Sequence, residues 1–303
     1  MDNNISAKMP LVSVVVATYR REDTLKTALE SLKSQSYENI EVIVVDDNAD
    51  DMWNNKVQDI FKNFVDDKRY IYLKNEKNIG SAKTRNRGIN IAKGEYITFL
   101  DDDDIYLPCK IENQVKLMIE KNADYSTTDL FFYNEDGSIS EYRTRRFLQN
   151  AKQSDLMKIH LMYHISGNDT LMFRKNFILD IGGFEPIDVG DEYYLIQKAI
   201  LAKGVIAYLP QCDVKAYIHT GEGGLSSGQQ KIDGENRLFE FKKDYFHYLD
   251  KKSLRYVKMR HYAVIAFAYL RIGKIPHVLV NGFKSFLCAP FQCIKLIVER
   301  KKA

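Results

Sequence analysis

The chain has 303 residues, 45% of them hydrophobic, with 44 Lys and Arg against 41 Asp and Glu. That length and balance suit one large globular domain, or one domain with an appendage, and exclude collagen-like, disulfide-scaffold and wholly disordered chains. The formal net charge of +3 is too small to argue for nucleic acid, but residues 235–303 hold 15 basic and 5 acidic side chains, leaving an acidic body before a basic tail.

Residues 11–17 (LVSVVVA) form a β-branched run that predicts a buried strand, ending in the polar loop Thr18-Tyr19-Arg20-Arg21. Residues 23–34 place Leu25, Ala28, Leu29 and Leu32 at helical spacing, with Asp23 as the expected N-cap. A second strand is predicted over 40–45 (IEVIVV), ending at Asp46-Asp47-Asn48, and a helix over 51–64. A third strand (70–73) and a polar turn lead to a helix over 81–92, with Gly94 as its expected C-cap. A fourth strand (96–100, YITFL) runs straight into Asp101-Asp102-Asp103-Asp104. Such alternation predicts a parallel α/β sheet. The clusters at Thr18, Asp47 and Asp101 all follow strands, where open α/β sheets bind ligands.

Beyond the quartet, a helix is predicted over 107–121, a strand over 125–133 with a hairpin turn at 134–137, and a strand over 170–174. Gly182 and Gly183 lie in a glycine-rich loop, and 191–202 reads as a helix. From about residue 236 the tail predicts two or three amphipathic helices. Its functional reading is attachment to an anionic membrane face, and its plain reading is an appendage that packs on the body or forms a homodimer. The longest apolar run there, 263–270, is far short of the roughly 18–20 residues a spanning helix needs. Cys109, Cys212, Cys288 and Cys293 form no CxxC pair, and the N-terminal residues hold no apolar signal-type stretch. Reduced thiols and a cytoplasmic location, peripheral on the inner face of the cell membrane, are the matching expectation.

Four consecutive aspartates repel one another and raise the cost of ionising each. A divalent cation removes that cost, and carboxylate oxygens suit Mg²⁺ or Mn²⁺. The plain alternative is an acidic turn in which Asp104 caps the next helix.

The blocks LVSVVVATYRR, IEVIVVDDNAD and NIGSAKTRNRGINIAKGEYITFLDDDD, with the later IGGFEP and VGDEYYLIQKA, together resemble family 2 glycosyltransferases over roughly residues 11–225. The resemblance implies an α/β GT-A fold, Rossmann-like, with a mostly parallel sheet flanked by helices. The expected division is a lead over 1–10, a GT-A domain over 11–235 and a helical tail over 236–303. It implies a metal-dependent, inverting transfer of a sugar from a nucleotide-diphosphate donor to a hydroxyl of a glycan or lipid-linked acceptor. Thr18, Tyr19 and Arg21 fall where the family's first loop wraps the base. Asp47 matches an aspartate that reads the base edge, usually uracil, so a UDP-sugar is the default donor. Arg85 stands at the family's arginine near base and phosphate. Asp101-x-Asp103 is the DXD motif, with Asp101 toward the ribose and Asp103 toward Mn²⁺ or Mg²⁺; in a run of four, Asp102 is also a candidate. The general base falls to Asp191 or Glu192, since this chain swaps the order of the family's acidic pair. His219 stands where some such enzymes place a further metal or diphosphate ligand. Two other classes compete with this reading: a nucleotidyltransferase acting on a sugar phosphate, which needs a glycine-rich loop that ATYRRED lacks, and a non-catalytic nucleotide-sugar binding domain.

Overall fold

The structure is a computed structural model that describes residues 9–134, 136–187, 189–217 and 228–300. In chain order it runs β1 (Val12–Thr18), α1 (Glu22–Lys33), β2 (Ile40–Asp46), α2 (Asp51–Phe61), β3 (Tyr70–Lys74), α3 (Ser81–Ile91), β4 (Tyr96–Phe99), β5 (Ile105–Tyr106), α4 (Lys110–Glu120), β6 (Tyr125–Thr128) and β7 (Leu130–Tyr133). There follow β8 (Ile139–Arg143), α5 (Leu156–Tyr163), β9 (Met172–Arg174), α6 (Lys175–Asp180), α7 (Asp191–Leu201), β10 (Ile206–Leu209), β11 (Val214–Tyr217), α8 (Gly228–Lys243), α9 (Lys251–Arg271), α10 (Ile275–Cys288) and α11 (Pro290–Arg300). Two compact units share these elements: one draws on residues up to 131, 167–184 and 204–216, the other on 132–166, 185–203 and 217 onward.

The first unit is built on a seven-stranded sheet of order β10-β6-β9-β4-β1-β2-β3. β1 pairs in parallel with β2 and β4, β2 with β3, and β10 with β6. Only β9 is antiparallel, to β4 and to β6. β2 is buried along its whole length and β1 at all but Ala17, as expected of strands covered on both faces. α1 buries Leu25, Ala28, Leu29 and Leu32, the stripe its periodicity predicts.

Three local readings are corrected. Asp23 is not the N-cap of α1: that place is Arg21, and Asp23 lies in the first turn, where its charge favours the helix dipole. Gly94 does not cap α3, whose C-cap is Ala92; a Cβ at Gly94 would lie 2.6 Å from the amide nitrogen of Ser13, so close backbone approach explains the glycine. The strand predicted over 125–133 is broken at Asp129 into β6 and β7, and its turn does form, with the Asn134 amide donating to the Ser138 carbonyl at 2.8 Å.

In the second unit, α7 and α8 meet through Tyr193, Tyr194 and Leu238, with Phe241 packed alongside. α9, α10 and α11 join through Met259, Ala289 and Cys293, and the Ser285 hydroxyl donates to the Met259 carbonyl at 2.9 Å. The expected boundary at residue 235 falls inside α8, which starts at Gly228. No helix among the described residues is long and apolar enough to cross a membrane.

Candidate active site

Three parallel neighbours of the first unit, β4, β1 and β2, end side by side, and their loops carry the predicted residues. Thr18 stands opposite Asp46 in the β1–β2 register, and the Asp47 amide donates to the Thr18 carbonyl at 2.9 Å. The Leu100 amide donates to the Val15 carbonyl at 3.1 Å, which holds the start of the quartet against β1.

The loop after β1 meets the quartet directly. Tyr19 donates its amide to Oδ2 of Asp102 at 3.3 Å, while its ring is 43% exposed with the Arg20 guanidinium 5.1 Å from its centre. Arg20 adopts a left-handed backbone (φ 54°) and donates its amide to Asn48, which ties this loop to the end of β2. Arg21 reaches Asp103 at 3.2 Å, and Arg85 on α3 reaches Asp101 at 2.6 Å. Thr18, Tyr19, Arg21, Arg85 and Asp101 to Asp103 therefore form one connected group.

Asp47 is buried and heavily used. Its Oδ1 accepts from the Ile79 amide at 2.9 Å and from Asn75 Nδ2 at 2.7 Å, and its Oδ2 accepts from the Gly80 amide at 3.0 Å. Gly80 is the N-cap of α3, so the carboxylate sits where the helix dipole favours an anion. Asp46 is more committed still, accepting from Asn48, Asn54 and Tyr72. The carboxylate of Asp46 thus braces the loop from which Asp47 projects.

The quartet does not act as four equal charges. Burial, then the neighbouring charge of Asp103, pushes the Asp102 carboxyl up to about 8. Asp104 is also buried, and burial with the charge of Asp169 raises it well above the ordinary carboxylate range. Asp169 is pushed up to about 7 by burial and then by Asp101. Its Oδ1 accepts the Asp101 amide at 2.6 Å. Carboxylate oxygens of Asp101, Asp104 and Asp169 all lie within 4.8 Å of one another. Three hard oxygen donors this close, two of them driven toward protonation by burial, fit a Mg²⁺- or Mn²⁺-sized dication, whose charge would let them ionise. Among these, sequence reading placed only Asp101 in the site; its expected metal ligand, Asp103, is paired with Arg21.

Beneath this group lies a buried polar support that sequence reading missed. Lys110, fully buried on α4, donates to the Thr98 hydroxyl at 2.6 Å and to the Tyr106 hydroxyl at 2.7 Å. Burial pulls its ammonium well below the usual lysine range. The Tyr106 hydroxyl in turn donates to the carbonyl of Phe99 and lies 3.1 Å from that of Asp169. One signal was available: Lys110 and Gln114 share a helical face with Ile111, Val115 and Met118, all buried. Asp169, just before β9, joins Asp101 and Asp104.

Gly183, in the glycine-rich loop, is required by its local backbone. Its φ is +59°, and a Cβ there would meet Asn86 Oδ1 at 2.4 Å. That oxygen accepts the Phe184 amide, and Asn86 Nδ2 donates to the Phe184 carbonyl. The Phe184 ring lies 5.6 Å from the guanidinium of Arg85.

Asp191 and Glu192 open α7 in the second unit, in its first turn, where acidic side chains are favoured. Asp191 is 6% exposed, and its Oδ1 accepts the Glu192 amide at 3.0 Å. His219 lies outside the described residues.

Comparison with known proteins follows the same lines. A family model described as glycosyl transferase family 2 matches residues 13–178. An uncharacterized glycosyltransferase of Methanocaldococcus jannaschii is 40% identical over 162 residues, covering 52% of this chain and only 54% of that protein. The Escherichia coli protein named UDP-Glc:alpha-D-GlcNAc-diphosphoundecaprenol beta-1,3-glucosyltransferase WfaP is 41% identical over 276 residues, covering 89% of this chain and 96% of that one. In fold the chain is similar to S. aureus TarS in complex with UDP-GlcNAc (TM-score 0.58, 18% identity, 91% of both chains). It is equally similar to the mannosyltransferase PcManGT of Pyrobaculum calidifontis, solved with GDP-Man and Mn²⁺ (TM-score 0.59, 17% identity, 97% of this chain and 85% of that one). With the parallel sheet, the acidic loop and these relatives in agreement, the chain belongs to glycosyl transferase family 2 and is a glycosyltransferase of the GT-A fold.

Proposed function

We propose that the protein transfers a sugar from a UDP-sugar to a hydroxyl of a lipid-linked glycan acceptor, inverting the anomeric carbon, in the synthesis of a cell-surface polysaccharide. The observation that carries this reading is the connected group at the ends of β1, β2 and β4, where an exposed aromatic ring, two arginines and the acidic quartet share one set of loops. Tyr19 and Thr18 receive the base, with Asp47 fixing its edge, and Arg85 and Arg21 face the phosphates. Asp101, Asp103 and Asp104, with Asp169, are the side chains that would hold Mn²⁺ or Mg²⁺. When bound, that ion supplies neutralisation of the charge that grows on the leaving diphosphate. Asp191 or Glu192 takes the proton from the attacking hydroxyl as general base.

The donor and acceptor classes rest on the resemblance at Asp47 and on the printed substrates of WfaP, a relative matched over nearly its whole length. PcManGT, solved with GDP-Man, is the reason to test more than one base. Hydrolysis of a panel of UDP-, GDP- and dTDP-sugars, with Mn²⁺ and with a chelator, tests the reading. UDP-sugar turnover that needs the metal, and that falls at least about 100-fold in Asp103→Asn, supports it. Equal turnover in the variant refutes it. Pyrophosphate release from a nucleoside triphosphate and a sugar phosphate would instead identify a nucleotidyltransferase.

The tail supports peripheral attachment to an anionic membrane. α10 and α11 turn Leu279, Phe283, Leu287 and Phe291 outward, at 69%, 63%, 59% and 87% exposure, with Lys274, Lys284 and Lys295 on the same two helices and the turn before them. An apolar stripe edged by lysines fits the boundary between headgroups and acyl chains. Flotation with vesicles containing anionic lipid should be lost in Phe283→Glu/Phe291→Glu. A homodimer that dissociates in the same variant, without vesicle binding by the unaltered chain, would replace the membrane by a second copy.

A further inference from the structure

Lys110 is a fully buried cation that sugar transfer, as described above, does not use. It opens α4, where the helix dipole favours an anion. Burial of an ammonium is costly as well, so its reason lies in the groups it bonds. It donates to the Tyr106 hydroxyl at 2.7 Å and to Thr98 Oγ1 at 2.6 Å, and it lies 3.9 Å from the centre of the Tyr106 ring. Of the charges around it, those of Asp169 and Asp213 favour the ammonium.

Tyr106 stands two residues after Asp104. Its hydroxyl donates to the carbonyl of Phe99, two residues before Asp101, and lies 3.1 Å from the carbonyl of Asp169. One side chain thus joins the three segments that bring carboxylate oxygens of Asp101, Asp104 and Asp169 within 4.8 Å of one another. The Tyr106 amide donates to Ser31 Oγ on α1 at 3.2 Å, which anchors β5 from the other side.

The single helical turn Asn168–Thr170, which carries Asp169, is held by the same group of side chains. Beyond the Asp169 carbonyl at Tyr106, that of Thr170 accepts from Gln114 Nε2 at 2.8 Å and that of Leu171 from Thr98 Oγ1 at 2.7 Å. Three successive carbonyls are therefore met by buried side chains of β5, α4 and β4. Lys110 orients two of those donors. An ammonium only donates, so each hydroxyl accepts from it and turns its own proton toward a carbonyl.

We propose that Lys110 and Tyr106 are positioning residues that fix the separation of Asp101, Asp104 and Asp169 to suit a small dication, and so favour Mn²⁺ or Mg²⁺ over Ca²⁺. This rests on the reading of those carboxylates as the holders of the metal and deepens it: the frame behind them sets which ion they hold. The small ions demand near-ideal octahedral geometry, whereas Ca²⁺ accepts larger and looser shells. A frame that loosens therefore loses the small ion first. Groups behind the ligands set metal affinity in other proteins by the same means.

The test adds Mn²⁺ to the full chain and reads the free ion by electron paramagnetic resonance; Ca²⁺ is then measured by displacement of the bound Mn²⁺. The unaltered chain should take up Mn²⁺ and hold it at least about tenfold more tightly than Ca²⁺. Tyr106→Phe keeps the ring and loses only the hydroxyl, and Lys110→Met keeps most of the stem. Each should weaken Mn²⁺ at least about tenfold and Ca²⁺ less than about threefold. Tyr106→Phe, the milder change, decides the matter if Lys110→Met does not fold. Met118→Ala controls for a loosened fold, since Met118 is buried on α4 and takes no part in these bonds. It should lower the melting temperature and leave both affinities within about twofold. Unchanged Mn²⁺ affinity in Tyr106→Phe overturns the positioning role while the metal reading stands. Equal losses for the two ions overturn it too, as does a loss in Met118→Ala as large as in Tyr106→Phe, or an unaltered chain without preference for Mn²⁺. If the unaltered chain takes up no Mn²⁺, the metal reading itself fails and the positioning role falls with it.

Discussion

Asp47→Asn separates the two roles that the carboxylate at this position carries. In the native chain it accepts the Ile79 and Gly80 amides and the Asn75 side chain. Asparagine can keep its oxygen toward Ile79 and Asn75. Its amide nitrogen then faces the Gly80 N–H, donor against donor. The lost charge-assisted bond costs about 1.5–3 kcal/mol, and the stranded buried donor about 1–3 kcal/mol, the two overlapping in part. Removal of the anion from the start of α3 adds about 0.3–1 kcal/mol. We expect a net loss of about 3 kcal/mol, which lowers Tm by roughly 6–10 °C for a unit of this size. Thermal melting by circular dichroism measures it, and calorimetric titration with UDP at a temperature where the variant is folded measures the second role. If Asp47 also reads the base, UDP binds at least about tenfold more weakly, or about 1.4 kcal/mol. A Tm within about 1 °C of the native value would refute the hydrogen-bond reasoning. A lowered Tm with unchanged UDP affinity would leave Asp47 as a brace for α3 and remove it from base recognition.

Gly183→Ala should cost about 2–4 kcal/mol in urea denaturation, because a Cβ at φ +59° displaces the Asn86 side chain from both its bonds to Phe184. Stability should fall on acidification. Burial pulls His160 down to about 3 from an ordinary value near 6.5, so between those pH values the unfolded chain binds the proton that the folded chain refuses. From pH 6.5 to 5 this one group removes about 2 kcal/mol, and His160→Gln, which retains one acceptor and one donor, should flatten that part of the Tm–pH curve. Of Asp191→Asn and Glu192→Gln, the variant that removes the base should lower kcat about 10²- to 10⁴-fold with donor KM nearly unchanged; two small effects would dismiss both residues from that role.

The parallel sheet was legible in the sequence because its strands are short, continuous apolar runs that stop abruptly at polar clusters. Burial on both faces demands the first property, and loops at one sheet edge produce the second. The helices were equally legible, since α1 buries the same four residues that its spacing marks. Local detail was not. Gly94 looks like a helix stop in sequence and is a point of close approach to Ser13, 81 residues away. The run at 125–133 reads as one strand, yet Asp129 interrupts it between β6 and β7.

Sequence alone determined the family, the four acidic positions and their place after a strand, because those depend on order along the chain. Only the tertiary structure decided how the four differ: Asp101 against Arg85, Asp103 against Arg21, Asp102 buried at the Tyr19 amide, and Asp104 drawn to Asp169. It also brought Lys110 beneath them. The reason is physical: the charge state of a side chain depends on burial and on neighbours within a few ångströms, and those neighbours come from segments tens of residues apart.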